Sequence, residues 1–124
     1  MYVLLVEDDD LIRLCLAELM AEAGFEIVEA PDAESALELA AADRPPQILI
    51  SDVNLGSGMD GFELVAAARC RWLTIPVVLI SGVEANFADR YCGPTERFLS
   101  KPFSFETLLR NITDLTGRPA ALPA

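Results

Sequence analysis

Five short apolar runs, separated by longer stretches of helical period, constrain this chain more than anything else in it. The runs are Tyr2–Val6, Glu26–Ala30, Gln47–Ser51, Pro76–Ile80 and Arg97–Ser100. The third and fourth, "QILIS" and "PVVLIS", are nearly unbroken, as expected of parallel strands covered on both faces. The second alternates in polarity, which suits an edge strand.

Four of the intervening segments read as helices. Ile12, Cys15, Leu16, Leu19 and Ala23 make one apolar stripe, with Cys15 read as a core residue and Gly24 as the terminator. Ala33, Ala36, Leu37 and Ala40 make a second, capped by Asp32 and stopped by Pro45-Pro46. Phe62, Val65, Ala66 and Arg69 lie on a third. Phe105, Leu108, Leu109, Ile112 and Leu115 form the final helix, from Ser104 to Gly117. The segment after Gly82 is less regular, because Gly93-Pro94 cuts it short.

This βα alternation predicts an α/β fold: a five-stranded parallel sheet, order 2-1-3-4-5, doubly wound with five helices in the flavodoxin-like manner. The 124 residues cannot close an eight-stranded barrel. One domain is expected over 1–117, with 118–124 a tail or linker stub.

Composition narrows the function. Twenty acids against nine bases give a formal charge of −11, a surface that repels phosphate backbones, so nucleic acid is not an expected partner. No apolar stretch approaches the ~20 residues that a bilayer requires, and no signal segment opens the chain. No membrane partner and a cytoplasmic location are expected. Cys15, Cys70 and Cys92 form neither a disulfide framework nor a zinc pattern. There is no histidine, so any metal must be a hard cation held by oxygen.

In this topology ligands bind beyond the carboxyl ends of the strands, where strands 1 and 3 part. Strand 1 ends in Glu7-Asp8 and strand 3 in Ser51-Asp52, so three carboxylates converge there. Asp9 or Asp10 then starts the first helix. Strand 4 ends in Ser81-Gly82 and strand 5 in Ser100-Lys101-Pro102. Clustered carboxylates resist joint ionisation unless a cation joins them, and Mg²⁺ takes such oxygens. With Lys101, the Ser81 hydroxyl and the Gly-containing loop 56–61, the site is suited to receive a phosphoryl group.

The chain resembles the receiver domain of two-component response regulators. The matching pieces are "VLLVEDD" (3–9), "ILISDVNLGSGMDGFEL" (48–64), "VVLISG" (77–82) and "FLSKPF" (98–103). The "NLGSGMDG" loop and the "SG" pair are similar to those of receivers attached to, or partnered with, hybrid sensor kinases.

The resemblance implies that Asp52 accepts phosphoryl from a phosphohistidine on a sensor histidine kinase or histidine phosphotransfer protein. It implies that Glu7, Asp8, Asp52 and the backbone carbonyl of Asn54 hold Mg²⁺, and that Lys101 contacts the acyl phosphate. A cis peptide to Pro102 follows. Ser81 would turn toward the phosphoryl group, with Phe98 following as an aromatic switch. The output would be a changed surface on the helix after strand 4, strand 5 and the final helix, read by a downstream protein.

Plainer readings stand beside these. Ser81-Gly82 also suits an ordinary strand exit, Lys101-Pro102 a strand terminator, and Phe98 a core position. A Mg²⁺-dependent phosphohydrolase with an Asp nucleophile shares the chemistry, but such enzymes typically carry that Asp on the first strand with a second Asp two residues on. A flavin carrier of the same topology would find its phosphate repelled by "EDDD". The expectation is a phosphoacceptor, not an enzyme, with no DNA-binding effector. The stretch "CGPTERF" departs from the small-residue turn often found before strand 5.

Overall fold

The structure is a computed structural model, and it describes residues 2–40, 45–56, 58–82 and 94–117. In chain order the elements are β1 (Tyr2–Val6), α1 (Asp10–Glu22), β2 (Glu26–Ala30), α2 (Ala33–Ala40), β3 (Ile48–Asp52), α3 (Gly61–Arg71), β4 (Val77–Ser81), β5 (Glu96–Ser100) and α4 (Phe105–Thr116). All five strands are parallel, in the order β2-β1-β3-β4-β5. The doubly wound, flavodoxin-like sheet anticipated from the apolar runs is the one present. The helix expected between strands 4 and 5, and the 118–124 tail, fall outside the described residues.

Each central strand feeds two cores, because successive side chains leave opposite faces of a pleated strand. On one face Leu4, Val6, Leu49, Val77 and Leu79 pack with Ala33 and Ala36 of α2 and with Leu64, Val65 and Ala68 of α3. On the other, Val3, Leu5, Ile48, Ile50, Val78 and Ile80 meet Ala17, Met20 and Ala23 at α1 and Leu108, Leu109 and Ile112 on α4. Strands β1, β3 and β4 are buried at every position, which is why they read as unbroken apolar runs. The edges differ: β2 exposes Glu26 and Glu29, and β5 buries only Leu99.

Helix ends follow local chemistry. The side chains of Asp9, Asp60 and Ser104 cap α1, α3 and α4, and Asp60 with Glu63 forms a reciprocal capping box. Helix α1 closes with a Schellman pair: the Gly24 N–H donates to the Ala21 carbonyl and the Phe25 N–H to that of Met20.

Two expected stripes are rotated. On α1 the buried residues are Ala17 and Met20, with Ala23 at the cap, whereas Ile12, Cys15 and Leu19 are exposed. This helix is apolar almost all round, so periodicity cannot set its rotation. Arg13 sets it instead: its guanidinium donates to the Glu7 carbonyl at 2.8 Å and lies 3.6 Å from Glu29 Oε1 on β2. Cys15 is therefore a surface thiol, not a core residue. On α3, Leu64 and Ala68 are buried with Val65, while Ala66 is exposed. The close approach of Gly61 to β3 turns that helix, as described next.

Candidate functional site

The site lies at the carboxyl ends of β1, β3 and β5. Carboxylate oxygens of Glu7, Asp8 and Asp52 all lie within 4.8 Å of one another. Glu7 and Asp52 are buried and Asp8 is exposed, so the cluster opens to solvent on the Asp8 side. Lys101, just beyond β5, reaches back across the strand ends. Its Nζ is 3.0 Å from Asp52 Oδ2 and 3.9 Å from Glu7 Oε2.

Local bonds hold these groups. The Asp9 amide donates to Glu7 Oε1 at 3.2 Å, and Arg13 grips the Glu7 carbonyl from behind. Beyond Asp52 the Val53 amide extends the β3–β4 pairing by donating to Ile80 O at 2.8 Å, and the loop closes where the Gly61 amide donates to Val53 O at 2.7 Å. A Cβ at position 61 would sit 2.4 Å from the Asp52 carbonyl oxygen and 2.8 Å from the Val53 Cα. Only glycine lets α3 start this close to the strand that carries Asp52.

The charge balance is unfavourable as it stands. Burial pushes the Glu7 carboxyl up to about 7, with the Asp52 charge adding to the effect against the pull of the Asp9 amide and Lys101. Burial by itself would lower the Lys101 ammonium, but its hydrogen bond to Asp52 and the surrounding acid charges outweigh that and hold it above its ordinary value. Three carboxylates against one ammonium leave a deficit of positive charge. Hard oxygens, close spacing and an open side suit a small divalent cation such as Mg²⁺.

The remaining predicted residues divide. Ser81 is buried at the end of β4, and its carbonyl accepts from the Lys101 amide at 2.9 Å. The Lys101–Pro102 peptide is cis. Asn54 is exposed at the mouth of the loop, with its side-chain oxygen accepting from Gly56 N at 3.3 Å. Phe98 stands apart from the carboxylates, half-buried, edge-on to Phe62 of α3 with ring centroids 6.3 Å apart. Both rings line a cavity of about 390 Å³ that also touches Val65, Leu79 and the Arg69–Glu96 ion pair. The positioning roles of Arg13 and Gly61 were not anticipated from the sequence. A lone arginine inside an otherwise apolar helix start was the available signal for the first.

Residues 3–113 match the response regulator receiver domain. The chain belongs to that family. This receiver is 37% identical over 122 residues to the response regulator protein FleR of Pseudomonas aeruginosa, a match covering 95% of this chain and 24% of FleR. It is 34% identical over 132 residues to the transcriptional regulatory protein PdtaR of Mycobacterium tuberculosis, covering 97% of this chain and 63% of PdtaR. The receiver thus spans less than two thirds of these curated relatives. Among solved structures, the receiver domain of the hybrid histidine kinase CckA superposes with a TM-score of 0.77 at 36% identity, covering 93% of this chain and 99% of that one. FleR and PdtaR are both regulators by name. Among the described residues no helix is long and apolar enough to cross a membrane.

Proposed function

We propose that residues 1–117 form a phosphoacceptor receiver whose Asp52 takes a phosphoryl group from a phosphohistidine on a histidine kinase or phosphotransfer partner. The supporting observation is the juxtaposition at Asp52: a buried carboxylate at a strand terminus, 3.0 Å from the Lys101 ammonium and clustered with Glu7 and Asp8. An Asp52 oxygen attacks phosphorus, the P–N bond to the donor imidazole breaks, and that nitrogen keeps the electron pair. Lys101 stabilises the negative charge that gathers on the phosphoryl oxygens. Glu7, Asp8, Asp52 and the Asn54 carbonyl would hold Mg²⁺, which supplies charge neutralisation at the phosphoryl group.

The donor seats on α1. Leu11 is 70%, Leu14 50% and Ile12 44% exposed, an apolar face directly beyond the acid turn that adjoins Asp52. A helical donor with an apolar stripe and a basic rim fits that face and its acids. Phosphorylation then adds charge and acceptor oxygens near Ser81, whose hydroxyl is drawn toward them while Phe98 moves away from Phe62. A downstream protein reads the change around β5 and α4.

Acetyl phosphate with Mg²⁺, read by intact mass, tests this. One added phosphoryl is expected on the wild type and none on Asp52→Asn, with circular dichroism unchanged. Ser81→Ala should label normally but lose the wild-type NMR response at Phe98. Wild-type labelling of the Asp52→Asn protein would overturn the assignment.

A further inference from the structure

We infer that Glu34, in the first turn of α2, is a positioning residue for the β3–α3 loop that walls the acid cluster. The inference rests on the phosphoacceptor reading above and assigns a residue that neither the motifs nor the cluster contains. The base of the loop is closed by the Gly61-to-Val53 hydrogen bond, and Leu55 is buried beneath it. Its outer part needs a separate anchor.

Glu34 provides one from 25 residues away. Its Oε1 accepts from the Met59 amide at 3.2 Å. The adjoining Gly58 has φ +90°, and a Cβ there would lie 2.9 Å from the same Oε1. Met59 supplies the donor, and Gly58, at a positive φ that favours glycine, leaves the carboxylate room beside it. Met59 also packs against the core shared by α2 and α3. On the inner side of the loop, a Cβ at Gly56 would lie 3.6 Å from Asp8 Oδ2. The loop thus runs between the α2 carboxylate, which it bonds, and Asp8 of the acid cluster, which it adjoins. Releasing Met59 lets Gly56 and the Asn54 carbonyl shift relative to Asp8.

A second tie between the same elements supplies a control. Arg71, at the far end of α3, donates to the Leu37 carbonyl of α2 at 2.8 Å. General loosening of α2 against α3 would follow from losing either contact, whereas release of the Met59 amide follows only from losing Glu34.

The experiment measures Mg²⁺ affinity by calorimetry and acetyl phosphate labelling as a function of Mg²⁺, with thermal melts to verify folding. Glu34→Ala is expected to weaken Mg²⁺ binding about three- to tenfold, the range one net hydrogen bond supplies. Its labelling rate at saturating Mg²⁺ should match the wild type. Glu34→Gln keeps the acceptor oxygen without the charge, and Arg71→Ala cuts the control tie. Both should stay within about twofold of wild type, as surface changes without a key contact do.

Three results would overturn the proposal: an Ala variant with unchanged affinity, a Gln variant as weak as Ala, or an Arg71→Ala variant as weak as Glu34→Ala. The second would show that the charge of Glu34 matters rather than its bond, and the third that packing matters. A wild type that takes up neither Mg²⁺ nor phosphoryl would instead remove the reading beneath, and this inference with it.

Discussion

Helices α1 and α4 cover the same face of the sheet, yet they treat their apolar residues oppositely. On α4 the three buried residues, Leu108, Leu109 and Ile112, make one inward stripe, while Glu106, Arg110 and Asp114 face water. On α1 only Ala17 and Met20 are buried, and Leu11, Ile12, Leu14 and Leu19 stand out in solvent. The exposed aliphatic residues of α1 follow directly on Glu7–Asp10, where the proposed donor would dock.

The largest test of that contrast is stability. Ile112→Ala should cost about 3 kcal/mol by urea denaturation, because a fully buried aliphatic leaves a cavity. Ile12→Ala should change stability by less than ~0.5 kcal/mol, as expected for a surface site. Equal losses would show that α1 is core after all.

The next effect separates the ways the two helices are entered, α1 through a run of acids and α4 through Lys101. The Glu7 carboxyl is raised by burial to about 7 in the folded chain, from 4.5. The folded state therefore holds a proton that the unfolded state has released between those values, so the stability of the metal-free protein falls as pH rises from about 4.5 to about 7. Glu7→Gln should flatten that slope in chelator-treated samples. An unchanged slope would place the charge strain elsewhere.

The smallest effect is the most specific. Leu14→Asp adds charge to the exposed α1 face and should slow phosphotransfer from a phosphohistidine protein about tenfold, the size of a modest interface contact. Acetyl phosphate, which needs no docking surface, should label this variant at the wild-type rate. Equal slowing with both donors would mean the substitution damages the acid site instead.

The same two helices show what a sequence reveals. Helix α4 was legible from Ser104 to Gly117 because its apolar residues leave only one possible inward face. The rotation of α1 was not, because nearly every face is apolar and the deciding contact is the Arg13 guanidinium on a carbonyl of another element. The strand order, and the meeting of Glu7, Asp8, Asp52 and Lys101, were legible because unbroken apolar runs end abruptly in charge. Glu34 gave no sign, since an acid in a first helical turn is ordinary and its Met59 partner is 25 residues distant.

The β2 rim of the sheet carries a further consequence. An open strand edge offers unpaired amides and carbonyls to any extended chain, which is how sheets grow into aggregates. Along β2 the exposed residues are Glu26 and Glu29, so a second copy pairing there would set carboxylates against carboxylates. At a formal charge of −11 the approach is already repulsive. The acids that make β2 the least regular strand to read also make it a poor seed for fibrous assembly.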